Sequence, residues 1–137
     1  MSQISHLSNA GRAEGRVVLE GSLARHTVKA ISDELSKRIL LSVASEGKTA
    51  QQISVEGALP LSSCYRRIRE LVEQGLVVVE RIVVTPEGRR YALYRGSFRS
   101  VEMAADLSQV MVTAEINAAV ADKFRLKWFC LAYPDQR

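Results

Sequence analysis

Apolar positions along this chain fall first into helical stripes and later into strand-like runs. Leu35, Ile39, Leu40 and Val43 recur at helical spacing and predict a helix from Ser32 to Gly47. Ser32 stands where an N-cap belongs, Asp33 and Glu34 put acids in the first turn, and Gly47 lies just past the end. A second, short helix is expected over Lys48–Ser54 with Thr49 as its cap, before Gly57 and Pro60 break the chain. The third, opened by Ser62, is stopped by Gly75. Stepped at about 100° per residue, Cys64, Ile68, Leu71, Val72 and Gly75 share one face of it. Ser62, Arg66, Arg69 and Glu73 point away, and Tyr65 and Arg67 take the flanks.

Period-2 patterning then takes over. Leu76 to Val84 is a β-branched run, Thr85-Pro86-Glu87-Gly88-Arg89 is a turn in which Pro presets φ and Gly accepts a positive one, and Tyr91 to Arg95 is a second strand. The hairpin tip carries Arg89 and Arg90. Further on, Val101, Met103 and Ala105 alternate, Asp106-Leu107-Ser108 turns, and Val110, Val112, Ala114 and Ile116 alternate against Met111, Thr113 and Glu115. A second hairpin is expected there, although Met, Ala and Gln also suit a helix over 101–116. Asn117 can cap a final helix with Val120, Ala121, Phe124, Trp128 and Leu131 on one face. Upstream, residues 17–31 read two ways. Leu23, Val28 and Ile31 fit a helix leading into the first one, while Val17-Val18-Leu19 fits a short strand. Residues 1–15, rich in Ser, Gly, Asn and Ala, read as a loose arm.

Three helices with a tight turn between the last two, followed by a basic hairpin, make an α+β winged helix-turn-helix. Its C-terminal additions are a β-hairpin and a terminal helix. The expected organisation is an arm over 1–15, a winged helix with an N-terminal extension over 16–99, and a C-terminal unit over 100–137. At 137 residues and 47% hydrophobic, the chain is long enough to bury a proper core.

Charge sharpens this picture. The chain has 19 Lys+Arg against 15 Asp+Glu, a net of +4. Between Pro60 and Arg99 stand eight arginines and four glutamates, which leaves eleven charges of each sign elsewhere. The whole positive excess therefore lies on the third helix and the hairpin. One face anchored in a core, with arginines opposite it, suits a helix that enters a major groove, and phosphate contacts supply the salt-dependent part of such binding. An ordinary amphipathic helix with solvated arginines is the bland alternative; the basic hairpin that follows makes it the weaker one.

Leu59-Pro60-Leu61-Ser62-Ser63-Cys64-Tyr65-Arg66-Arg67-Ile68-Arg69-Glu70-Leu71-Val72-Glu73-Gln74-Gly75-Leu76-Val77 resembles the recognition helix and wing entry of ArsR-type and related archaeal and bacterial transcriptional regulators. The resemblance covers about residues 31–97, and the end segments Tyr94–Ser97 and Ala121–Trp128 are similar to small archaeal regulators of this type. It implies a winged helix bound to double-stranded DNA. Metal-sensing members of the ArsR group carry paired cysteines or His/Asp clusters. Here Cys64 and Cys130 are far apart, His6 and His26 lie near the N-terminus, and no metal or cofactor is expected.

Cys64 faces the apolar stripe and reads as a small buried hydrophobe; Cys130, in an apolar segment, reads the same way. Two distant cysteines with no secretory signal or membrane-length apolar run suit a reducing, cytoplasmic setting. Catalysis finds no foothold: there is no phosphate-cradling glycine loop, no nucleophile with a histidine beside it, and no paired carboxylates. Gly11-Arg12-Ala13-Glu14-Gly15 follows no strand and reads as linker.

Site expectations follow from these placements. Ser62 and Ser63 would meet phosphate at the start of the third helix. Arg66 and Arg69 would reach base edges, where a guanidinium meets guanine bidentately. Tyr65 and Arg67 would grip phosphate beside the groove, Thr49 and Gln51 would touch backbone, and Arg89 and Arg90 would lie along the minor groove. A homodimer is expected, since two half-sites about 34 Å apart double the phosphate contacts. The terminal stripe and the 17–31 segment are its candidate interfaces; packing of that stripe onto the chain's own core is the alternative. Two rival functions are a winged helix used for protein contacts and a regulator with a small-molecule pocket between the winged helix and the C-terminal elements. The arginines argue against the first, and nothing polar and convergent in 100–137 marks the second.

Overall fold

A computed structural model describes residues 15–132, with side chains described through Trp128. The elements in chain order are β1 (Arg16–Leu19), α1 (Gly21–Ser32), α2 (Glu34–Ser42), α3 (Ala50–Gly57), α4 (Leu61–Glu73), β2 (Val77–Val84), β3 (Arg90–Gly96), β4 (Phe98–Ala105), β5 (Val110–Ile116), a 3₁₀ turn (Ala118–Val120) and α5 (Ala121–Ala132). The fold is α+β, with five α-helices and two small antiparallel sheets among the described residues.

The 17–31 segment is both things its sequence suggested. Val17 and Leu19 are buried on β1, and α1 follows at once, burying Leu23, Thr27 and Ala30. Ser32 is not the cap of the next helix. It ends α1, where its hydroxyl donates to the Val28 carbonyl at 2.8 Å, and Asp33 takes the cap by accepting from Ser36 N–H at 3.0 Å. The carboxylate is the stronger acceptor and sits in extended backbone, as a cap must. α2 stops at Ser42, five residues before Gly47. Thr49 does cap α3, in a reciprocal box with Gln52.

The end of α3 departs from the glycine rule by one residue. Gly57 stays helical, and Ala58 adopts the left-handed conformation at φ 54°. Leu59 N–H then reaches Ser54 O at 2.9 Å and Ala58 N–H reaches Val55 O at 3.3 Å, the crossed pair of a Schellman closure. The same closure ends α4 with the expected residue, Gly75 at φ 86°, through Leu76 N–H to Leu71 O and Gly75 N–H to Val72 O.

β2 and β3 form the first predicted hairpin, from Val77 opposite Gly96 to Val84 opposite Arg90, with a bulge between Val79 and Arg81. Its tip closes by Thr85 N–H to Arg89 O at 2.9 Å, with Gly88 at φ 87°. The second predicted hairpin, β4–β5, is also a hairpin rather than a helix. What the sequence did not announce is the partner on its far side. β1 pairs with β5, Arg16 opposite Glu115 through Leu19 opposite Val112, giving the order β1-β5-β4.

That pairing ties the chain together across residue 99, where a division is expected. One continuous core runs from Val17 and Leu19 through Ile39, Val43, Ile68 and Leu71 to Val112, Ile116, Phe124 and Trp128. Phe98 and Phe124 meet edge to face at 5.1 Å between ring centroids. The described part of the α5 stripe is buried inside its own chain: Val120, Phe124 and Trp128 are 2%, 1% and 7% exposed. Leu131 and Cys130 lie outside the residues whose side chains are described, as does all of the expected arm except Gly15. The Gly15 carbonyl accepts Ile116 N–H at 2.7 Å. No helix among the described residues is long and apolar enough to cross a membrane.

Two buried polar side chains join the layers. Ser97 Oγ donates to Gly75 O at 2.7 Å, fixing the end of α4 to the β3–β4 junction. Asn117 Nδ2 donates to Ala44 O at 2.9 Å and Gly96 O at 3.1 Å, while its Oδ1 accepts Ala119 N–H.

Candidate nucleic-acid interface

α4 is held by its inner face. Cys64, Ile68 and Leu71 are each 1% exposed, and Cys64 Sγ points at Ala50 O of α3 at 3.6 Å. Burial pushes the Cys64 thiol above its ordinary pKa, as suits a packed hydrophobe rather than a reactive thiolate. With that face fixed, rotation about the helix axis is fixed too. Ser62, Tyr65, Arg66 and Arg69 are exposed, and Ser63 and Arg67 are half-buried.

The first turn of α4 differs in detail from expectation. Pro60, not Ser62, occupies the cap position, and no side chain caps the helix. The proline side chain offers no acceptor, and the Pro60 carbonyl takes Cys64 N–H at 2.9 Å, so the first-turn N–H groups beside exposed Leu61 and Ser62 keep their hydrogen-bonding capacity for an outside acceptor.

Arg67 turns away from the other arginines. Its guanidinium lies 3.6 Å from Asp33 of the α1–α2 junction and 3.6 Å from Glu70, with the side chain only 28% exposed. It is a strut between helices, and the structure places it apart from the outward-facing Arg66 and Arg69. Asp33 is in turn held below the usual carboxylate range, chiefly by the Ser36 N–H, then by the Ser36 hydroxyl and Arg67. Arg66 and Arg69 have no carboxylate within ion-pair distance among the described residues.

The opposite flank of α4 faces the hairpin. A cleft of about 240 Å³ is lined by Thr49, Ala50 and Gln51 of the α3 start, Tyr65 of α4, and Arg90, Tyr91, Ala92 and Tyr94 of β3. Four predicted residues, Thr49, Gln51, Tyr65 and Arg90, thus meet in one place. A backbone bridge brings them there: Lys48 N–H to Tyr94 O at 3.0 Å and Tyr94 N–H to Lys48 O at 2.7 Å. Arg89 stands on the exposed hairpin tip, outside this cleft, and donates to the Tyr91 hydroxyl at 3.4 Å.

Tyr91 and Tyr94 were missed as site residues. The signal was present, since they are aromatic residues interleaved with Arg89, Arg90 and Arg95. Burial raises the Tyr94 pKa above its ordinary value, helped by Tyr65 and opposed by Arg69. Arg95 resembles Arg67: its Nη1 lies 3.2 Å from Glu80 Oε1, the carboxylate turned aside at the β2 bulge, and it is an internal pair. Arg81, just past the bulge, is exposed and unpaired among the described residues. Chemically, the assembled surface offers cations, hydroxyls and backbone N–H groups on a rigid convex helix beside a hairpin, all hydrogen-bond donors. Among the described residues no group of three His, Cys, Asp or Glu side chains is placed to hold a metal ion.

No protein-family model matches the chain, and no curated protein matches it.

Proposed function

We propose that this protein is a winged helix-turn-helix reader of duplex DNA, used as a homodimer to regulate transcription. α3 and α4 form the helix-turn-helix, α4 enters the major groove, and the β2–β3 hairpin is the wing. The observation that carries this is the state of the arginines. Those on the flank of α4 and inside the wing are paired with Asp33, Glu70 and Glu80, whereas Arg66 and Arg69 on its outward face are exposed and have no carboxylate within ion-pair distance among the described residues. A merely solvated face gains nothing from such sorting, while a phosphate-facing one needs its charge free. Ser62, Ser63 and the uncapped first turn of α4 add phosphate donors, and Thr49, Gln51, Tyr65 and Arg90 line the adjoining cleft. Arg89 and Arg90 extend the contact from the wing. Binding of this kind requires no metal or cofactor and no catalysis.

A fluorescence-anisotropy titration of random-sequence duplex DNA over a range of salt concentrations tests this. Affinity falls steeply with salt, and Arg66→Ala and Arg69→Ala each weaken binding, by about 1–3 kcal/mol on a selected specific site. Arg67→Ala leaves the salt dependence unchanged while lowering stability, because its charge is already spent. Absence of binding at low salt would falsify the proposal and favour a protein-contact role for the same face.

A further inference from the structure

β4 is an edge strand. In the order β1-β5-β4 its outer row of N–H and C=O groups has no partner strand among the described residues. Edges are normally blunted by proline, charge, a bulge or a cover; here the bulge and Arg99 are confined to the Phe98–Ser100 end, and Val101–Ala105 holds no proline and one charge, Glu102. The apolar side of its far half is also bare. Val101, Met103 and Ala105 face the same side as Ala114, Val112 and Val110. β1 reaches only as far as Val112, so Met103 is 47% exposed, Val110 62% and Leu107 fully. Beside the root of the same strand lies a cavity of about 230 Å³ between α1, α2 and Arg99–Val101, walled by Ile31 and Leu40 and edged by Lys37 and Arg99. A bare apolar tip carrying Asp106 and an apolar groove edged by two cations thus lie at opposite ends of one edge strand.

We propose that a second copy of this chain occupies this edge: two β4 strands pair antiparallel about a two-fold axis at Met103, and each hairpin tip lies over the other's groove. Charge selects the register. A two-fold perpendicular to a sheet keeps opposed residues on one face, so the axis passes through a residue rather than between two. An axis at Glu102 sets two glutamates directly opposite each other, a destabilising pair that the half-exposed Arg16 guanidinium 3.6 Å from each only partly offsets. An axis at Val101 carries the tip past Arg99 to the Gly96 turn. An axis at Met103 sets Val101 opposite Ala105, brings Asp106 opposite Ser100 and next to Arg99, and lays Leu107 at the groove. Asp106 is available for this. Its Oδ1 accepts Ser108 N–H, Ser108 Oγ–H and Gln109 N–H at 2.8, 2.8 and 2.9 Å, and Oδ2 has no partner among the described residues. The pairing joins two three-stranded sheets into one of six strands and hides both edges.

This names the partner surface of the homodimer proposed above and rests on that reading only for the role of the second copy. Sedimentation velocity of the full chain without DNA gives a species of twice 15.2 kDa. Met103→Lys, which sets two ammonium groups face to face at the axis, returns it to one protomer with its melting temperature unchanged when compared at a concentration where the wild type is also dissociated. Met103→Cys crosslinks to itself under mild oxidation, whereas Leu107→Cys does not, the wild type with its natural cysteines being the blank. A wild type that is monomeric at every concentration, including one whose groove takes up a small amphipathic anion instead, overturns the proposal. So does a dimer that Met103→Lys leaves intact. DNA titrations run in parallel separate the two ideas: a monomer that binds DNA sinks only the β4 pairing, and a β4 dimer that ignores DNA sinks only the reader.

Discussion

Replacing Asn117 with alanine removes a joint on which three segments converge. The side chain is 2% exposed and donates from Nδ2 to Ala44 O beyond the end of α2 and to Gly96 O at the end of β3. Its Oδ1 caps the turn into α5 through Ala119 N–H at 3.3 Å. Loss of a cap costs about 1 kcal/mol. Stranding two carbonyls away from water costs about 1–3 kcal/mol more, less if water enters the space left behind. Asn117→Ala should therefore lower stability by about 2–4 kcal/mol, measured by urea unfolding with the emission of Trp128, the sole tryptophan, as the probe. Asn117→Asp separates the two parts. It keeps the capping oxygen but turns a carboxylate oxygen toward two carbonyl oxygens. Burial and those carbonyls raise the folded-state pKa of the new carboxyl above its unfolded value of about 3.9. A raised pKa means stability that is fully present below the unfolded value and lost as pH rises through the folded one. Relative to wild type at each pH, Asn117→Asp should be worse than Asn117→Ala at neutral pH and recover in acid. If Asn117→Ala stays within about 0.5 kcal/mol of wild type, or if the aspartate variant shows no pH dependence of its own, the joint is not what holds these layers together.

Two further substitutions probe the helix ends. Ala58→Gly relieves a left-handed residue at an exposed turn and should stabilise the fold by about 0.5–1 kcal/mol, read as a rise in Tm; a fall would mean that the Ala58 side chain contributes something other than strain. Asp33→Asn keeps an acceptor for Ser36 N–H but discards the charge beside Arg67. Because the Asp33 pKa is depressed in the folded chain, its extra stability is present above the unfolded value of about 3.9 and lost as pH falls through the lower folded one. The deficit of Asp33→Asn measured by urea unfolding should accordingly vanish in acid, and a deficit independent of pH would remove the charge from the account.

Much of this molecule is written in short-range signals. The stripe of Cys64, Ile68 and Leu71, the Thr49–Gln52 capping box, the Thr85–Arg89 turn and the alternation from Val110 to Ile116 each lie within a few turns or residues of chain, where helical or pleated periodicity and backbone preference decide the outcome. The arginine excess between Pro60 and Arg99 is equally legible, because counting needs no coordinates. Choices among neighbouring cap candidates were less secure. Ser32 and Asp33 are both good caps, and only the place where α1 ends decided between them. The rest depended on which surfaces meet. Arg66 and Arg67 are adjacent and chemically identical, yet the docking of α4 against the α1–α2 junction brings Asp33 to one and leaves the other open. The apolar stripe of α5 could have served a partner or its own core, and closure onto Phe98 gave it to the core. β1 found β5 across almost the whole chain, since a four-residue strand carries no local mark of its partner. Periodicity determined which residues would be buried; long-range packing determined against what, and which charges were left free.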